Sequence, residues 1–120
     1  MEEVKFNFED LRVYQKALDF VDTTYEITRK FPKEEKYGLI SQYTRAVVSI
    51  ALNIAEGAGD SNPQFNRYVQ IAQDSIKECV VCSTIAVRQK IITKTEDSEA
   101  RITLSQIAKM LTNLQKYLKK

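Results

Sequence analysis

The 120-residue chain contains no histidine at all, and only three glycines, two prolines and two cysteines. Without histidine the commonest general base is missing, and with it the Ser-His-Asp arrangement and the Glu-x-x-His ligand pairs of di-iron bundles. So few glycines and prolines leave little material for the frequent turns of an all-β fold. Two cysteines are too few for a secreted disulfide framework. The opening Met1-Glu2-Glu3 has neither a basic n-region nor an apolar h-region, so no signal peptide is expected. The longest nearly apolar run, Ala46 to Ala55, is about half the length of a membrane span. These absences predict a cytoplasmic helical protein that does not enter a membrane.

With 43% hydrophobic residues, a chain of this size hides roughly two-thirds of its unfolded surface as a single domain and needs no metal or disulfide staple. Helical periodicity marks four segments within residues 1–120, over about 8–30, 33–56, 63–92 and 98–119. In the first, Leu11, Tyr14, Leu18, Val21, Tyr25 and Thr28 recur at heptad spacing and predict its inner seam. Asn7 is the expected N-cap, with Phe6 and Leu11 as a hydrophobic staple, and Phe31-Pro32 ends the segment. The second starts at Pro32 and stops at Gly57, read as a C′ residue. Its half from Ala46 to Ala55 is apolar on nearly every side, which calls for neighbours on several faces. The third is capped by Ser61 with Gln64, or by Asn62 with Pro63 in the first turn. Its seam is Phe65, Tyr68, Ala72, Ser75, Cys79, Cys82 and Ala86. Asp97 or Ser98 is the expected cap of the fourth, whose seam is Leu104, Ile107, Leu111, Leu114 and Leu118. Rods of this length with short connections pack best as an antiparallel, up-down-up-down four-helix bundle.

Little in the chain looks catalytic. Cys79-Val80-Val81-Cys82 lies deep inside a helix and has no second ligand pair for zinc, so both thiols read as core. Gly57 and Gly59 join two helices and lack the Gly-Lys-Ser/Thr of a phosphate loop. The carboxylate pairs Asp74 with Glu78 and Glu34 with Glu35 read as solvated charges. No metal, cofactor or enzymatic activity is expected. One feature stands apart: Gln42, Arg45, Ser49, Asn53 and Glu56 form a single polar stripe on the otherwise apolar second helix. Such a stripe suggests a buried or interfacial hydrogen-bond network, since buried polar groups need partners.

Charge is also unevenly laid out. Residues 1–60 carry 8 Lys/Arg against 11 Asp/Glu, and residues 61–120 carry 10 against 5, with no acid after Glu99. The candidate phosphate contacts are Arg67, Arg88, Lys90, Lys94, Arg101, Lys109, Lys116 and Lys120. The alternative reading of the terminal cations is that they complement a helix dipole.

Three blocks carry a resemblance: Phe8-Glu9-Asp10-Leu11-Arg12-Val13-Tyr14-Gln15-Lys16-Ala17; Phe31 to Leu39 with Gln42, Arg45, Ser49 and Asn53-Ile54-Ala55-Glu56-Gly57; and Phe65-Asn66-Arg67-Tyr68 with Ile71-Ala72, Ser75 and Glu78. They resemble the four-helix-bundle proteins encoded in intervening sequences of 23S ribosomal RNA genes, also labelled S23 ribosomal proteins. The chain departs from the pattern at Cys79 and Cys82, where Glu- and Thr-like residues are expected. The resemblance implies a homo-oligomer, a pentameric barrel in characterised relatives. Through the accessory variability determinant of diversity-generating retroelements, it also implies binding to nucleic acid and a reverse transcriptase by a basic surface. The reading is therefore a non-catalytic, oligomeric module for RNA or DNA. The alternative is a protein-interaction scaffold, with a partner such as a reverse transcriptase and no nucleic-acid contact.

Overall fold

A computed structural model describes residues 2–120 as four α-helices, with no strand among the described residues. They are α1 (Arg12–Thr28), α2 (Leu39–Gly57), α3 (Asn62–Arg88) and α4 (Lys94–Leu118), with short 3-10 turns at Asn7–Asp10 and Lys33–Glu35. No helix is long and apolar enough to cross a membrane, among the described residues. Helix α2 packs on α1 and α3, α3 on α4, and α4 returns to α1, around one core. Between α3 and α4, rising numbers on one helix meet falling numbers on the other: Ser83 with Asp97, Gln73 with Thr112, Gln70 with Gln115.

The helix ends differ from the sequence expectation for local reasons. Residue 8 does not begin α1. Leu11 is extended at φ −68°, ψ 125°, and separates α1 from a 3-10 turn in which the Phe6 N–H donates to Glu9 Oε2 at 2.7 Å. Asn7 caps nothing, and Phe6 stacks on Phe8 at 6.1 Å between ring centroids. Helix α2 starts at Leu39 rather than 33, because Gly38 breaks the path at φ −107°, ψ −106°. The Glu35 carboxylate then accepts from the Leu39 N–H at 3.2 Å. Gly57 is the last residue of α2, not a left-handed C′. Its missing side chain serves packing, since a Cβ there would stand 2.6 Å from Phe65 Cδ1 and 2.9 Å from Tyr68 Cβ. The turn is made by Gly59 at φ 89°. Ser61 then caps α3 by accepting from the Gln64 N–H at 3.4 Å.

Helix α3 ends at Arg88, four residues before 92. Ile91 N–H bonds to Ala86 O at 2.8 Å and Lys90 N–H to Val87 O at 3.1 Å, with Lys90 left-handed at φ 61°. This is a Schellman motif with lysine in the position glycine usually takes. Helix α4 starts at Lys94, not 98. Thr93 Oγ1 accepts from the Glu96 N–H at 3.0 Å and Glu96 Oε1 accepts from the Thr93 N–H at 2.9 Å, a complete capping box that displaces Asp97 and Ser98 from that role.

Of the three expected seams, those of α3 and α4 fall where periodicity puts them, with Tyr68 and Leu114 only half-buried. Leu104, Ile107, Leu111 and Leu118 are buried on α4, and Phe65, Ala72, Ser75, Cys79, Cys82 and Ala86 on α3, with Val69, Ile76 and Ser83 beside them. Helix α2 buries Leu39, Tyr43, Ala46, Val47, Ile50, Ala51 and Ile54. Helix α1 does not follow. It buries Val13, Ala17, Phe20, Thr24 and Thr28, while Leu18 and Tyr25 from the expected seam stay 38% and 42% exposed. At 100° per residue the true seam lies about a quarter turn from the expected one.

Candidate nucleic-acid interface

All eight basic candidates are exposed, but they do not form one patch. Arg88, Lys90 and Lys94 sit where α3 hands over to α4. Lys116 and Lys120 lie at the far end of α4, roughly 35–40 Å away at 1.5 Å per residue. Arg67, in the first turns of α3, belongs to that far end, because Gln115 Nε2 donates to Gln70 Oε1 at 3.1 Å and ties α3's start to α4's end. Lys109 and Lys116 line one shallow groove on α4 with Ser105, Ala108, Thr112 and Asn113. Helical spacing puts Lys109 and Lys116 opposite the buried Leu104–Leu118 seam, and Lys120 lies two residues past the end of α4.

Arg101 is placed differently. Its Nε donates to Asp97 Oδ2 at 2.9 Å and a terminal nitrogen donates to Thr84 Oγ1 at 2.5 Å, so it holds α3 against α4. Ser83 Oγ donates to Asp97 Oδ1 at 2.6 Å and completes the link. Burial alone would raise the Asp97 carboxyl. The hydrogen bonds from Ser83 and Arg101, with the guanidinium charge, outweigh it and hold the group below its ordinary range. Of the basic candidates only Arg101 forms an ion pair among the described residues.

The polar stripe of α2 divides in two. Ser49 and Asn53 are half-buried: Asn53 Nδ2 donates to Ser49 O at 2.8 Å and to Ser49 Oγ at 3.0 Å, and Ser75 Oγ of α3 donates to Ser49 Oγ at 2.8 Å. A small network therefore bridges α2 and α3. Gln42, Arg45 and Glu56 stay exposed. Beside Arg45 and Ser49 the surface turns apolar, through a cleft lined by Tyr25, Val48 and Leu52. It continues into a second cleft with Tyr14, Leu18, Val21, Ala51 and Ala55. The expected α1 seam thus forms an outer apolar strip together with α2.

Cys79 is fully buried, Cys82 nearly so, and both are free thiols. Burial first, then the neighbouring Cys82 and Glu78, push the Cys79 thiol far above its usual value, and burial followed by Glu78 pushes Cys82 up as well. Such thiols are poor nucleophiles. Among the described residues no three His, Cys, Asp or Glu side chains gather as metal ligands would. Asp74 is exposed and accepts from Gln70 Nε2 at 3.1 Å, and Glu78 is exposed one turn on. Sequence reasoning missed Ser83 and Tyr43. Tyr43 is 2% exposed, and burial with the nearby Cys79 thiol raises its phenol far beyond the ordinary value. Ser83 and Asp97 are 14 positions apart on different helices, a pairing no helical period announces.

The comparisons agree with this architecture. No curated protein matches the chain. A protein of unknown function from the S23 ribosomal protein family of Bacteroides thetaiotaomicron has a similar crystal structure, with a TM-score of 0.77 at 22% identity over 87% of this chain and 98% of that one. That likeness is one of fold. Residues 9–113 match the model described as 23S rRNA-intervening sequence protein, and with nearly its whole length matched, the chain belongs to that family.

Proposed function

We propose that this chain is a non-catalytic, self-assembling cytoplasmic module that binds nucleic-acid backbones through the outer face of α4. One observation carries the reading. Lys109 and Lys116 are exposed opposite the core seam and Lys120 just past the helix end, no acidic residue follows Glu99, and none of the three is ion-paired among the described residues. An unneutralised cationic stripe of this kind attracts phosphates. The family's tie to a 23S rRNA intervening sequence supports a nucleic-acid setting. The two free cysteines suit a reducing interior.

Assembly belongs to the same reading. The paired contacts of α2 with α3 and α3 with α4 support an antiparallel, up-down-up-down bundle, and the outer apolar strip of α1 and α2 supports burial against further copies. Leu52 at 55% exposure and Leu18 at 38% are the side chains such an interface would cover. The resemblance favours five subunits. Repetition of the α4 stripe on each copy would add avidity. A second reading, a scaffold for a protein such as a reverse transcriptase, draws on an apolar groove between α2 and α3 lined by Leu39, Val81, Cys82 and Ile85.

The test is a fluorescence-anisotropy titration with RNA and DNA at several salt concentrations, alongside light scattering. The expected slope of log K against log salt is about −0.9 per duplex phosphate contact and about −0.7 per single-strand contact. Lys109, Lys116 and Lys120 changed together to Gln should weaken binding across unrelated sequences and flatten the slope. Identical curves for both proteins would remove the stripe from the reading, and a clean monomer by scattering would remove the assembly.

A further inference from the structure

Tyr37 is 88% exposed, more than any other large apolar or aromatic side chain among the described residues. It stands in the connection between α1 and α2, and the Lys36 Nζ lies over its ring at 5.4 Å from the centroid. Tyr37 immediately precedes Gly38 and Leu39, and Leu39 shares a groove with Val81, Cys82 and Ile85 near the end of α3. The turn from Arg88 to Lys94 therefore caps the same end of the molecule. That end presents Lys30, Lys33, Lys36, Arg88, Lys90 and Lys94, all exposed and none ion-paired among the described residues.

Of the acids toward this end, three are engaged in backbone and helix-to-helix bonds, while Glu26, Glu78 and Glu99 stay exposed on the helices. Glu35 accepts from the Leu39 N–H, Glu96 from the Thr93 N–H, and Asp97 from Ser83 and Arg101. Glu34 is the exposed carboxylate left in the α1–α2 connection. The combination of a free aromatic face with surrounding cations is the chemistry by which proteins hold unpaired nucleotides. The ring stacks on a base, and the cations track the backbone. A duplex offers phosphates to the cations but keeps its base faces stacked inside.

We propose that this end of the molecule is a single-strand nucleic-acid site in which Tyr37 stacks on an unpaired base and the Lys33–Lys36 and Arg88–Lys94 cations hold the adjoining phosphates. The proposal rests on the nucleic-acid reading above but on different residues. It gives the protein a preference that the α4 stripe alone does not, for single strands over duplex. Stacking tolerates any base, so no sequence specificity follows.

The experiment compares wild type, Tyr37→Leu, Tyr37→Phe and the Lys109/Lys116/Lys120→Gln triple variant. The probes are a fluorescein-labelled single-stranded RNA 12-mer, its DNA counterpart and a duplex of the same length. Tyr37 packs into no core cluster, so the Leu variant should fold, and circular dichroism checks it. Loss of one stacked base should weaken single-strand binding roughly 5- to 150-fold while the Phe variant keeps it. Duplex affinity should be unchanged. Single-strand binding by Tyr37→Leu equal to wild type overturns the proposal, and so does an equal loss on duplex. If the triple variant binds like wild type while Tyr37→Leu is weakened, the α4 reading fails and this site stands. Wild-type protein that binds neither probe overturns both and leaves a protein partner.

Discussion

The two ends of the core are built from different chemistry. At the end where α2 meets α3, the interior is Ile54, Phe65, Val69, Leu111 and Leu118, with Gly57 removed of side chain so that Phe65 and Tyr68 can approach. At the opposite end, Leu39, Ala86 and Ala100 share the interior with the buried Thr24, Thr28, Tyr43, Cys79 and Ser83, joined to the half-buried Asp97 and plugged by the loop residues Phe31 and Ile92. The first end gains stability from apolar area removed from water and from tight contact. The second obtains its order from hydrogen bonds whose directions fix how α3 lies on α4. One group there is unmatched: Thr24 Oγ1 is buried with no partner. The difference teaches that this core is tuned for packing at one end and for register at the other.

The largest expected effect lies at the apolar end. Leu111→Ala removes a side chain that is 0% exposed and should cost about 2–5 kcal/mol in denaturant unfolding. A loss under about 1 kcal/mol would mean that this end packs loosely, and the contrast would collapse. At the polar end, Asp97→Ala strands the fully buried Ser83 hydroxyl, at about 1–3 kcal/mol, while the exposed Arg101 keeps Thr84 and water.

That end should also carry a pH signature. The native carboxyl of Asp97 ionises below its ordinary value, whereas an unfolded Asp titrates near about 3.9. Its stabilising contribution is therefore complete above the unfolded value and is lost as pH falls through the lower native one. Asp97→Asn should flatten the acid limb of a stability-against-pH curve below about pH 5. An unchanged limb would assign acid sensitivity to other carboxylates.

Smaller effects sharpen the picture. Changing Cys79 and Cys82 together to Ala should cost roughly 1–3 kcal/mol, since small buried groups leave small cavities. Both native thiols should label slowly with a thiol reagent, and fast labelling would show that the polar end opens readily. Lys90→Gly should act in the other direction. A lysine at φ 61° is strained where glycine is not, so relief, less glycine's greater unfolded-state entropy, should stabilise by about 0.5–1 kcal/mol. A net destabilisation would show that the Lys90 side chain makes contacts that outweigh the strain.

Much of this was legible from residue spacing. The α4 seam from Leu104 to Leu118 and the small-residue seam of α3 are narrow apolar stripes, and a narrow stripe has one way to face a core. The cap at Ser61 and the core placement of Cys79 were equally readable, because each depends on neighbours one turn away. The polar stripe showed that Ser49 and Asn53 needed partners, and the structure supplied Ser75. The tight approach at Gly57 was not readable, since it depends on Phe65 and Tyr68 from another helix.

Helix α1 marks the boundary between the two kinds of information. Val13, Ala17, Phe20 and Thr24 obey helical spacing as well as Tyr14, Leu18, Val21 and Tyr25 do, so the sequence determined a helix with a broad apolar arc and no more. Which half of the arc turned inward was decided by the shape of the space left by α2 and α4, which admits the Ala17 face and leaves Leu18 at the surface. Local propensity and period are properties of neighbours along the chain, and they established four helices and their caps in part, as composition did the absence of acids after Glu99. Azimuth, close approach and the Ser83–Asp97–Arg101 link depend on volumes and donor positions contributed by distant segments, and only the packed structure brings those together.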